Sequence, residues 1–315
     1  LPRPPSIAKM RPRGTHRGNC MRLRTVATVV LSIALAAATG CNRHGHGGDA
    51  GDPPGADSPV EAVRELTAHL IANDLAAFAR DAVPPGLHAR LEAAWREGRT
   101  RWPLDEFPLA SHHPAALATL AADGAEQSLQ DTFDRQFAGA AAELGQTAAA
   151  LGVFGMQYIE QHEGFSPSER QHYAQIVSAL SAWGIRAPLA DRDRALKAIA
   201  LLTAAAREAE LTSPGDFAAA GMDEALARMA PVLAAGKQAL ALYGLDLDAG
   251  LSAMQVHLLS QTGDTAQVHM EYSLAGTPID AVVGVERHDG RWYVSDFIAN
   301  AEAALAPQST DRTAD

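Results

Sequence analysis

Beyond residue 58 the apolar positions recur at helical spacing. In "SPVEAVRELTAHLI", Val60, Val63, Leu66, Leu70 and Ile71 fall on one side of a helix with 3.6 residues per turn. Ser58, Pro59 and Glu61 suit the N-cap, first and third positions of that helix, a capping-box pattern. "NDLAAFARDAVPP" predicts a second short helix stopped by two prolines. Similar punctuation at Ser166-Pro167-Ser168-Glu169, and more loosely at Ser213-Pro214-Gly215-Asp216, predicts two further helix starts. The segments that follow these starts do not align with one another, so the punctuation is not that of a solenoid repeat. Residues 86 to 245 read as helical throughout, with Leu87, Leu91 and Trp95, and Leu196, Ile199 and Leu202, as apolar faces. "QSLQDTFDRQFAGAAAELGQTAAALGVFGMQYIEQH" predicts one long helix, in which Gly139, Gly145, Gly152 and Gly155 each cost about 1 kcal/mol relative to alanine and point to close packing. Its uncharged run from Leu144 to Ile159 is interrupted by Gln146 and Gln157, bounded by Glu143 and Glu160, and too short to cross a bilayer comfortably.

The period changes near residue 251. "AMQVHLLS", "TAQVHMEYSL", "PIDAVVGVER" and "RWYVSDF" alternate and carry β-branched or aromatic residues, separated by Gly263-Asp264, Ala275-Gly276 and Asp289-Gly290. Val268, Met270, Tyr272 and Leu274 share one face, leaving Gln267, His269, Glu271 and Ser273 on the other. The expected fold class is therefore α+β: a predominantly helical region over 58–250 with a four-stranded antiparallel β meander over 251–300 packed on it, then a disordered tail over 301–315.

A third pattern lies upstream. Met21-Arg22-Leu23-Arg24 is a short basic stretch, Thr25 to Thr39 is uncharged and apolar, and Ala38-Thr39-Gly40-Cys41 places small residues before a cysteine. These are the parts of an export signal. The uncharged run of about 16 residues makes about 24 Å of helix, short of a bilayer core of about 30 Å. Residues 21–40 with Cys41 resemble the signal peptide and lipobox of bacterial lipoprotein precursors, with Ala38 where that family usually has leucine. The resemblance implies cleavage before Cys41, acylation of Cys41 including palmitate-type chains, and attachment to the membrane through that lipid. It further implies the outer membrane facing the periplasm, because Asn42 stands where an aspartate would commonly retain such a protein at the inner membrane. An ordinary secretory signal cut within "AAATG" is the alternative. Residues 1–20 are basic, proline-rich and aperiodic and read as upstream leader, with Met10 or Met21 as the start. Residues 41–57, rich in Gly, Pro and Asp, read as a flexible tether.

Charge sharpens this picture. Residues 1–40 hold seven of the 26 Lys and Arg and none of the 37 Asp and Glu, so the remaining 275 residues carry a formal −18. Such a body repels nucleic acid and anionic headgroups, so no nucleic-acid partner is expected and attachment falls to acyl chains. Of the two cysteines, Cys20 lies in the leader and Cys41 at the lipobox, leaving the domain no disulfide.

Candidate chemistry is sparse. G-x-S-x-G, H-E-x-x-H and a Gly-rich phosphate loop are absent from the sequence, and S-x-x-K occurs only as Ser6-Ile7-Ala8-Lys9 in the upstream leader. "HEGFS" at His162 starts like a zinc motif and fails at Ser166, His112-His113 reads as the start of a helix before Pro114, and His44 and His46 read as solvated tether rather than metal ligands. No cofactor or metal is expected. His257, His269, Glu271 and Glu286 share the polar sheet face, where a His–carboxylate group has the chemistry for acid–base work and a wet surface explains the same residues. "SPVEAVRELTAHLIANDLAAF" and "GVERHDGRWYVSDF" are similar to the first helix and final hairpin of NTF2-like domains, which would imply a curved sheet around a pocket and a large helical insertion. Two functions are thus expected: a noncatalytic protein-interaction or scaffold module of the envelope with an envelope protein as partner, or an NTF2-like pocket that binds or transforms a small ligand.

Overall fold

The structure, a computed structural model, describes residues 53–106, 112–162 and 165–306. Twelve α-helices and one four-stranded sheet make up the described chain, an α+β fold. Helix α1 (Pro59–Ile71) starts where the Ser58 hydroxyl accepts from the Glu61 amide at 3.2 Å; the Glu61 carboxylate pairs with Arg64 and does not close the capping box. Helix α2 (Leu75–Asp81) is capped by Asp74, and α3 (Pro85–Arg96) starts at the second of the two prolines and buries Leu87, Leu91 and Trp95. A short 3₁₀ turn (Leu104–Glu106) follows.

The single helix expected over 127–162 is two. Helix α4 (His113–Ala121) is followed by α5 (Ala125–Gln136) and α6 (Ala141–Gln161), and the chain breaks between the last two at Gly139, whose φ of +82° no interior helical residue adopts. Helices α7 (Pro167–Arg186) and α9 (Pro214–Ala220) both open on complete capping boxes, Ser166 with Glu169 and Ser213 with Asp216. Between them, α8 (Arg192–Ala209) buries alanines: Ala195, Ala198, Ala205, Ala206 and Ala209 lie inside, whereas Leu196, Ile199 and Leu202 are only half-buried. Helix α8 packs against α10 (Met222–Leu242), and the leucines expected to form its buried face are less covered than its alanines. Lys237 of α10 donates to the Leu70 and Ile71 carbonyls at 3.0 and 3.2 Å, capping the C-terminus of α1, and reaches Asp248 of α11 (Leu247–Ser252) at 2.6 Å.

Strands β1 (Gln255–Thr262), β2 (Thr265–Leu274), β3 (Thr277–His288) and β4 (Arg291–Val294) form an antiparallel meander in that order. Ala275, Gly276, Asp289 and Gly290 all have positive φ, the mirror-image turns whose twist matches the strands they join. The fourth strand is shorter than "RWYVSDF": at Ser295 the chain turns into α12 (Ser295–Leu305). Residues 295–300 are thus helix rather than meander, and the tail expected from 301 is helical to Leu305, because Phe297, Ile298 and Ala301 find an apolar surface to cover. Val268, Met270, Ile279, Val283 and Val285 belong to one contiguous core with Val63, Leu66, Leu91, Ile176 and Leu226 of the helices. Among the described residues no helix is long and apolar enough to cross a membrane.

Candidate functional site

Helices α6 and α7 form an antiparallel hairpin whose contact surface is built from small residues. A Cβ on Gly152 would overlap Ser181 Oγ, one on Gly155 would lie 3.0 Å from Val177, and one on Gly184 would lie 3.0 Å from Ala148. Only Ile159 of α6 is fully buried. The glycine positions set which side of α6 faces α7, so the large apolar residues point outward: Leu151 is 63% exposed, Val153 60% and Phe154 68%. Ile185, near the other end of the hairpin, is 50% exposed. Leu151, Val153 and Phe154 lie within the uncharged run bounded by Glu143 and Glu160. Exposed apolar surface of this kind marks a contact site, with a protein, a membrane or a ligand as the classes of partner it suits.

A second cluster is buried. Glu106 is 6% exposed, and its Oε1 accepts from Trp102 Nε1 at 2.5 Å, while its Oε2 has no hydrogen-bond partner. Burial, with the charges of Asp296 and Asp105 added, pushes its carboxyl up to about 8 against the opposing pull of Trp102 and of the nearby Asn300 side chain, which stands outside good hydrogen-bond geometry to Oε2. Burial and the charge of Glu169 raise Asp296 to about 6, and burial raises the Tyr173 phenol. Nearby on α7, His172 Nε2 lies 3.0 Å from the Tyr272 hydroxyl, and burial lowers the imidazole to about 4, so this pair is neutral. A third group sits where α1 meets α2. His69 Nε2 lies 2.8 Å from Asp81 Oδ2, and burial together with Asp81 and Glu61 raises Glu65 to about 7. Burial works to raise Asp81, but hydrogen bonds from His69 and Arg80 hold it below the usual range.

The residues of the polar sheet face separate in the structure. His257 and His269 stand opposite each other on β1 and β2, and Glu271 is one step along the same face. Glu286 is opposite Thr265, far along β3, and engages His288 at 2.6 Å, so the four do not converge. His257 and Glu271 are exposed. His113 opens α4, and His162 stacks on Phe165 at 4.2 Å between ring centres. Cys41, Asn42, His44 and His46, with Cys20, lie outside the described residues. Among the described residues no group of three or more His, Cys, Asp and Glu has metal-binding geometry.

Sequence reasoning passed over Glu106, Asp296 and Glu65. The available signal was weak: Glu106 is an acid in "WPLDEFPL" and Asp296 one in "YVSDFI", both apolar settings. The exposure of Leu151 and Phe154 was equally hidden, since an uncharged run does not say which side of the helix is covered.

No protein-family model, curated protein or solved structure matches this chain.

Proposed function

We propose that this protein is a cell-envelope lipoprotein, anchored through lipid on Cys41, whose α6–α7 hairpin docks an envelope protein. The observation that carries the docking role is the outward apolar face of Leu151, Val153 and Phe154 within a run free of charge. The pocket alternative fares less well. Val268, Met270, Val283 and Val285 on the inner face of the sheet are 0 to 3% exposed, packed by helices where a ligand would have to sit. Anchoring rests on the basic, apolar and small-residue order ending at Cys41. Asn42 favours the outer membrane and the periplasm. The Tyr293 hydroxyl donates to the Pro54 carbonyl at 2.9 Å, which ties the chain to the sheet at residue 54.

The test has two arms. Cells labelled with a fatty-acid probe should mark the wild type and not Cys41→Ser; label retained by the variant, or missing from the wild type, removes the anchor. A photocrosslinking residue at Phe154 should give a discrete adduct that the same residue at exposed Glu302 does not. Equal adducts from both positions, or none from Phe154, would refute the docking face.

A further inference from the structure

Helix α12 is seated by two different sides. Its apolar side is covered: Phe297, Ile298 and Ala301 are buried, and Phe297 meets Phe78 of α2 edge-on at 5.2 Å between ring centres. Its polar side faces the 3₁₀ turn. Asp296 and Asn300, four residues apart and so on one side of the helix, both act on the Glu106 carboxyl. The start of the helix adds little hold, since Val294 at the N-cap supplies no side-chain acceptor.

Glu106 is an acid among acids. Its Oε1 accepts from the Trp102 indole, while the buried Oε2 has no partner. Asp105 adds negative charge from the same turn and Asp296 adds it from α12, while Glu169 of α7 acts in turn on Asp296. Also on α7, burial and these carboxylates keep the Tyr173 phenol neutral, and neutral His172 is engaged with Tyr272. Among the described residues no ion pair reaches Glu106 or Asp296; Arg101, the nearest cation along the chain, pairs with Asp105 at 3.5 Å. Two carboxyl groups in such a place are compatible only while a proton remains on the pair. With that proton Glu106 has a donor to offer the acceptors of α12, and without it both its oxygens only accept and its charge repels Asp296.

We propose that Glu106 and Asp296 form a proton-operated latch on α12: a proton on the pair keeps the helix seated, and its loss lets α12 lift away while the rest of the fold stays closed. The helix is the moving part because the turn is pinned. Asp105 accepts from the Thr100 hydroxyl at 3.1 Å and from the Arg101 amide at 2.5 Å, and Trp102 is 1% exposed. No described element follows α12, so none has to be displaced with it. Burial raises Glu106 to about 8 and Asp296 to about 6, which sets the direction. The seated helix holds the proton and the lifted one gives it up, so lifting grows as pH climbs towards 8. The latch is independent of the lipid anchor and of the α6 face.

Hydrogen exchange of the full chain in mild detergent tests this, read as protection factors at pH 6.5 and 8.5 so that the intrinsic pH dependence drops out. At both pH values the α12 amides should be less protected than those of Val268 to Met270 in β2, because α12 opens without global unfolding. Their protection should fall about tenfold or more between the two pH values. In Glu106→Gln, which cannot ionise at this position, the fall should shrink to less than about threefold. Asp296→Asn removes the facing charge and should give a fall smaller than that of the wild type. Protection of α12 equal to that of β2, no fall with pH, a full fall in Glu106→Gln, or a fall untouched by Asp296→Asn would each overturn the proposal.

Discussion

Replacing Glu106 by glutamine should raise stability in alkaline solution and remove most of the pH dependence in one window. The carboxyl is 6% exposed and is raised from 4.5 to about 8, chiefly by burial. A carboxyl raised on folding binds its proton more tightly in the native state. Its contribution is therefore fully present below the unfolded value and lost as pH climbs through the folded one. A difference of about 3.5 units corresponds to about 5 kcal/mol between pH 4 and pH 9, and about 3 kcal/mol of this is spent by pH 7. Glutamine keeps an acceptor for Trp102 Nε1 and cannot ionise. The wild type and Glu106→Gln should thus lie within about 1 kcal/mol of each other at pH 5, and the variant should be more stable by several kcal/mol at pH 9. Asp296 and Glu65, raised to about 6 and about 7, keep a residual slope in both proteins. Urea unfolding followed by tryptophan fluorescence at pH 5, 7 and 9 reads the difference directly. Parallel pH profiles for the two proteins would refute the assignment of a buried, neutral Glu106. Glu106→Ala should instead lose about 2 to 4 kcal/mol at pH 5, since it opens a cavity and orphans the indole N–H.

Two further substitutions probe the helical packing. Gly152→Leu should cost about 2 to 3 kcal/mol by forcing α6 off Ser181, and Ser181→Gly in the same chain should restore more than half of that, whereas additive losses in urea unfolding would show that the two do not meet. Lys237→Met should cost about 2 to 3 kcal/mol, because it strips the cation from the Leu70 and Ile71 carbonyls and from a half-exposed Asp248; a loss under about 0.5 kcal/mol would refute the cap on α1.

Elements whose boundaries depend on neighbouring residues could be read along the chain. Ser58, Ser166 and Ser213 mark true helix starts because an N-cap is satisfied within its own turn. The three hairpin turns and the alternation of β2 were equally plain, since backbone sign and side-chain period are local properties. Misreadings arose where a distant partner decides. Nothing near Ser295 announces a helix; Phe297 and Ile298 suit a strand as well as a helix until the surface they cover is in place. Gly139, taken as one costly residue in a long helix, has a backbone angle that ends it.

By itself the sequence determined the starts of helices, the change from helical to strand period, the acidity of the body and the order of basic, apolar and small residues before Cys41, because each follows from residues a few positions apart or from summed composition. Tertiary structure decided what those residues meet. It turned Leu151 and Phe154 outward by placing glycines against α7, made Glu106 a neutral acid by removing its water, and tied one position on each of two sheet edges to Ala56 and Gln175, residues 236 and 105 positions from their backbone partners. Burial, desolvation and edge closure are relations between segments far apart in the chain, and they exist only once those segments are packed together.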